Sequence, residues 1–193
     1  ALFRPSKPMS TYLVAFVVGE YNVLTATTLG LSGSVPTSVV YPLTYEQTDA
    51  EWALRNAYKI LPYYEGLFDV PYPLPKMDHA AIFDFAAGAM ENWGLITYRS
   101  TDLMANEDDE SEASLKNVVV VVAHELAHQW FGDIVTMEWW NDLWLNEGFA
   151  SFVENLGVDY VQPQYQIWND YVMMVSSALD LDVSRYTHPI QQP

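Results

Sequence analysis

Residues 121–132 read VVAHELAHQWFG, a run in which β-branched residues meet a pair of histidines. His124 and His128 stand four apart, which on an α-helix puts both imidazoles on one face, a turn from each other. Two neutral imidazoles so placed can bind one zinc ion, with Glu125 beside the coordination position left open for water. Val118–Val122 favours a strand by β-branching. The histidine spacing works only on a helix, so the reading is helix from Ser114 to Phe131. Asn106–Glu112 holds five acids in seven residues. It reads as a solvated loop entering a helix N-terminus, where the dipole favours negative charge.

A catalytic zinc takes three protein ligands. His79 and His188 are the only other histidines, and each reads as structural or surface. Glu147, within WLNEGFASF (144–152), is the favoured third ligand because it opens a second helix, Glu147–Gly157, able to pack on the first. Glu138 and Glu154 remain alternatives. A third helix is expected over Gln164–Leu181. Trp130, Trp139, Trp140 and Trp144 are expected to pack between the two histidine- and glutamate-bearing helices.

The N-terminal half reads as β-rich. Ser10–Val18 (STYLVAFVV) predicts a strand buried on both faces, with a domain seam near Glu20. Tyr21–Tyr45 predicts short strands, with turn signals at Gly30–Gly33 and Pro36. Thr48-Asp49-Ala50-Glu51 fits a capping box ahead of a helix that Pro62 should kink or end and Gly66 should stop. VPYPLPK (70–76) reads as a stiff extended connector. The fold class is therefore α+β.

Composition narrows the function. The 193 residues are 50% hydrophobic, and 8 Lys+Arg against 25 Asp+Glu leave a net charge of −17. That field disfavours nucleic acid and anionic membrane as partners. It could instead steer cationic ligands. Without cysteine there are no disulfides, thiolate metal sites or Cys nucleophiles. No apolar run approaches the roughly 20 residues that span a bilayer. The chain reads as a segment of a longer protein, without an opening signal peptide.

HELAHQWFG followed by Glu147 in WLNEGFA, with GAMENWG (88–94) upstream, resembles the gluzincin zinc aminopeptidases of the aminopeptidase N and puromycin-sensitive type. Met9–Tyr21, VPYPLPK and THPI (187–190) look most like the puromycin-sensitive branch. The resemblance implies a thermolysin-like catalytic domain over residues 21–193, incomplete at its C-terminus, preceded at 1–20 by the end of an N-terminal β domain. It implies one Zn2+ on His124, His128 and Glu147, and Glu125 as the general base for the attacking water. Glu91 would bind the substrate's α-ammonium. Gly88, Ala89, Met90 and Asn92 would line the substrate, Met90 at the first side-chain pocket.

The implied partners are peptides with a free N-terminal amine, together with the parent protein's other domains. The family's oxyanion tyrosine is expected beyond the chain end, so the segment alone is expected to be weakly active or inactive. The competing readings are an inert or metal-free binding piece, a zinc endopeptidase and the family's epoxide-hydrolysing branch. The implied location is cytoplasmic, with a secreted or membrane-anchored parent as the alternative.

Overall fold

The computed structural model describes residues 5–191. Five strands form one mixed sheet in the order β1-β2-β3-β5-β4, with four helices packed on it and on one another, an α+β arrangement.

β1 (Tyr21–Gly30) and β2 (Gly33–Pro42) form an antiparallel hairpin in register from Tyr21↔Pro42 to Gly30↔Gly33. These are ten-residue strands, not the short ones expected. Pro36 does not break β2, because it lies just outside the segment Thr37–Val40 that pairs with β3. A proline is tolerated where the second ladder has not begun.

α1 (Gln47–Phe68) crosses to β3 (Met77–Ile82), which runs parallel to β2. Its cap lies slightly earlier than Thr48 suggested. Glu46 is the N-cap, and its side chain and that of Asp49 close the capping box. Nor do Pro62 and Gly66 end the helix, which runs to Asp69 in the left-handed region. Pro62 has no N–H for the Tyr58 carbonyl, and the Thr28 hydroxyl of β1 donates to that oxygen instead, at 3.4 Å. Tertiary packing thus removes most of the reason for a proline to stop a helix. VPYPLPK follows as an irregular connector.

Ser10–Val18 is not a strand. Thr11–Leu13 form one 3-10 turn, and the residues after it join no ladder, with Phe16 82% and Val18 87% exposed. β propensity describes a surface waiting for a partner strand, and no described residue supplies one.

β4 (Ala89–Met90) pairs antiparallel with β5 (Leu95–Arg99) and forms the sheet's outer edge. α2 (Glu112–His128) begins at an N-cap where Ser111 accepts from the Ser114 amide at 3.1 Å. Its β-branched run is helical because Val118, Val119, Val122, Ala123 and Leu126 form one buried stripe. α3 (Leu143–Val161) extends past both expected ends and packs along α2, and α4 (Ile167–Asp182) follows. Only Trp130 of the four tryptophans is buried, and it lies against Tyr64, Phe68 and Tyr72 rather than between α2 and α3. Trp139, Trp140 and Trp144 are exposed.

Candidate metal centre

The helical spacing of His124 and His128 brings their Nε2 atoms to 3.0 Å. Across the α2–α3 interface, Glu147 Oε2 stands 3.5 Å from His124 Nε2 and 3.7 Å from His128 Nε2. Two ligands about 2.0–2.2 Å from one tetrahedral ion stand roughly 3.3–3.6 Å apart. The three side chains therefore fit a single small cation. Each imidazole is fixed from behind through Nδ1. His124 donates to Glu154 Oε2 at 2.6 Å. His128 donates to the Phe131 carbonyl at 2.9 Å and to Asn146 Oδ1 at 3.0 Å. With Nδ1 carrying the proton, Nε2 offers its lone pair to a metal.

Glu154, one of the sequence alternatives, thus stands behind a histidine rather than beside the second nitrogen. Glu138 is outside the group among the described residues. His79 is also outside it: fully buried on β3, its Nδ1 lies 2.8 Å from the Tyr98 hydroxyl. Burial, assisted by the Lys76 cation, pushes its pKa down to about 3. His188, near the chain end, likewise takes no part in the group.

The electrostatics suit a cation. Burial alone would lower the His124 pKa, but hydrogen bonds with Glu147 and Glu154 outweigh it and raise the value to about 10. His128 is raised in the same balance, chiefly by Glu147. Glu147 is held far below the usual carboxylate range by its bonds to the two histidines. Burial pushes Glu125 up to about 7 against the opposing pull of His128 and His124, and its Oε2 is buried with no hydrogen-bond partner.

Glu91 follows the half-buried edge strand β4 and is itself buried. Its Oε1 accepts from Asn146 Nδ2 at 3.0 Å. With Glu125 and His128 it forms a second buried group of potential ligands. The backbone of Gly88–Gly94 is clamped to α2 by Gln129, which donates to the Glu91 carbonyl at 3.3 Å and accepts from Gly94 N at 3.1 Å. Asn92 uses both ends of its amide, accepting from Thr97 at 2.8 Å and donating to the Leu13 carbonyl at 3.3 Å. That holds the motif in place. Gly88, Ala89 and Met90 lie on or beside the open edge.

Several neighbours carried no sequence signal. Asp133 is buried with both oxygens unpartnered, and burial, then Glu91 and Glu125, push it up to about 9. The Tyr12 phenol is raised by burial and by the nearby Glu91 charge, and its ring stands edge-on to Trp140 at 5.0 Å. Asn146 could have been suspected only from adjoining Glu147.

His124, His128 and Glu147 thus form a group of potential metal ligands across two helices, graded from the buried His128 to the exposed Glu147, beside the loop that carries Glu91. The Peptidase family M1 domain matches residues 52–193, and the chain belongs to that family. It is 47% identical over 189 residues to aminopeptidase M1-C of rice, covering 98% of this chain and 21% of that protein. Human endoplasmic reticulum aminopeptidase 1 is 45% identical over 191 residues, 99% of this chain and 20% of that protein. The yeast protein named aminopeptidase 2, mitochondrial, is 43% identical over 193 residues, 100% of this chain and 20% of that protein. The chain spans about a fifth of the length of these relatives.

Proposed function

We propose that this chain carries the metal and amine-recognition sites of a zinc aminopeptidase that removes N-terminal residues from peptides. The observation that carries the reading is the juxtaposition of Glu91 with the ligand cluster, since one amide joins Glu91 to His128. His124, His128 and Glu147 would hold Zn2+. When bound there, zinc supplies a Lewis acid and lowers the pKa of a coordinated water.

Other groups of the chain take further roles on this reading. Glu125, with a pKa near 7 and a buried, unpartnered Oε2, accepts the proton of the attacking water and returns it to the leaving amine. Glu91 holds the substrate's α-ammonium in a dry setting where such a charge pair is strong, and so sets cleavage one residue in. The outer edge of β4 (Ala89–Met90) offers main-chain groups to an extended peptide, and Met90 lies beside the first side chain. On this reading residues 1–20 end an N-terminal β domain and residues 21–193 are part of a thermolysin-like catalytic domain. No helix among the described residues is long and apolar enough to cross a membrane. The cytoplasmic location belongs to the same proposal.

Zinc stoichiometry after dialysis, beside a Glu147→Ala control, tests the metal half. About one zinc per chain, lost in the control, supports the reading, and a metal-free wild-type chain refutes it. In the parent protein, Glu91→Ala should cripple cleavage of free-amine peptides. Equal hydrolysis of N-acetylated and free-amine substrates would refute the exopeptidase assignment.

A further inference from the structure

We propose that Asn146 is a positioning residue coupling the carboxylate of Glu91 to the imidazole of His128, so that amine recognition and metal binding share one side-chain amide. The inference rests on the roles proposed above for Glu91 and His128.

The chemistry of the two ends dictates the linker. A carboxylate only accepts hydrogen bonds, and an imidazole that offers Nε2 to a metal only donates from Nδ1. A group between them must accept on one side and donate on the other. Asn146 does both with separate atoms: Oδ1 accepts from His128 at 3.0 Å and Nδ2 donates to Glu91 at 3.0 Å. It is 3% exposed, so both bonds lie away from bulk solvent.

The surrounding backbone makes room for it. Gly132, at φ +131°, presents its bare α-carbon to the amide, and a Cβ there would overlap Asn146 Oδ1 and stand 3.2 Å from Cγ. Asn146 lies in the first turn of α3, next to Glu147, so the helix that delivers the third ligand also delivers the amide. Gln129 already holds the Glu91 backbone. Asn146 donates to the carboxylate itself.

Coupling through a shared group is reciprocal, which makes zinc affinity the readout. Zinc dissociation constants would be measured by chelator competition for the wild-type chain, Asn146→Ala, Glu91→Ala and the double variant, with thermal midpoints alongside. Asn146→Ala should weaken zinc by about 10–100-fold, the usual effect of removing a partner of a ligating histidine. The effect of Glu91→Ala on zinc should differ between the two backgrounds by at least about fivefold. Effects that combine within about twofold, the range for independent sites, would overturn the inference.

Asn146→Asp separates this from loss of packing. It keeps an acceptor for His128 and sets a second carboxylate in place of the donor to Glu91, so zinc should still bind while the effect that Glu91→Ala has in the wild-type background is lost or reversed. Retained dependence overturns the inference, and this variant serves if the alanine variant does not fold. Leucinamide binding to the zinc-loaded chain, with and without Glu91→Gln, tests the amine reading separately. If Glu91→Gln leaves leucinamide affinity unchanged, that reading falls, while the zinc cycle still decides the role of Asn146.

Discussion

Gly157→Ala should destabilise the chain although it removes a glycine from a helix. Gly157 lies in α3 against the ring of Tyr64, which comes from α1 and is fully buried. The Tyr64 hydroxyl reaches between α2 and α3, 3.1 Å from the carbonyls of both Ala123 and Val153. The next residues, His124 and Glu154, are the pair bonded at 2.6 Å. An alanine Cβ at 157 would overlap the Tyr64 hydroxyl and lie 2.9 Å from its Cζ and 3.2 Å from its Cε1. The ring has little room to retreat, because Phe68, Tyr63 and Trp130 surround it.

The opposing magnitudes can be compared. Helix propensity favours alanine by about 1 kcal/mol. Overpacking costs about 1–3 kcal/mol, and a buried hydroxyl pushed off its acceptors costs about 1–3 kcal/mol more. The sum favours glycine by roughly 1–5 kcal/mol. For a chain of this size each kcal/mol corresponds to about 2–4 °C in Tm. Urea denaturation of four proteins (wild type, Gly157→Ala, Tyr64→Phe and the double variant) would measure it. The cost of Gly157→Ala should fall by about half or more in the Tyr64→Phe background, where the overlapping oxygen is gone but Cζ and Cε1 remain close. Zinc affinity of Gly157→Ala should fall as well, because the wedge sets the helix spacing at His124. A Gly157→Ala chain about 1 kcal/mol more stable than wild type in both backgrounds would refute the reasoning.

Two pH dependences follow from buried histidines. The folded pKa of His79, about 3, lies below its unfolded value of about 6.5. The neutral form is therefore favoured in the fold, and its contribution is fully present above about pH 6.5. That contribution is lost as pH falls toward 3, up to about 5 kcal/mol by linkage. His79→Leu should flatten the acid limb of stability measured by urea midpoint, and identical slopes between pH 6.5 and 4 in the two proteins would show that His79 is not buried neutral. At the candidate metal centre the sign is opposite, since the His124 pKa is raised to about 10, so the site without metal should hold a proton at pH 7. Zinc uptake should release at least about one proton per ion, and affinity should rise with pH. Calorimetry in two buffers of different ionisation enthalpy measures this, and uptake without proton release would contradict it.

The sequence determined the chemistry that depends on local spacing. The four-residue interval of His124 and His128 selected helix over strand for Val118–Val122, and the acids of Asn106–Glu112 marked the approach to α2. Glu147 was reachable because it could open a second helix. Tertiary structure decided what depends on partners from elsewhere in the chain. Pro62 sits inside α1 because Thr28, on another element, satisfies the carbonyl that proline leaves open. Ser10–Val18 is no strand because propensity cannot supply a neighbouring ladder. Glu154 stands behind His124, Asn146 bridges His128 to Glu91, and Tyr64 spaces α2 from α3. Spacing along one helix is fixed by the backbone's own period, whereas contacts between residues 30, 55 or 89 positions apart exist only once separate elements have packed.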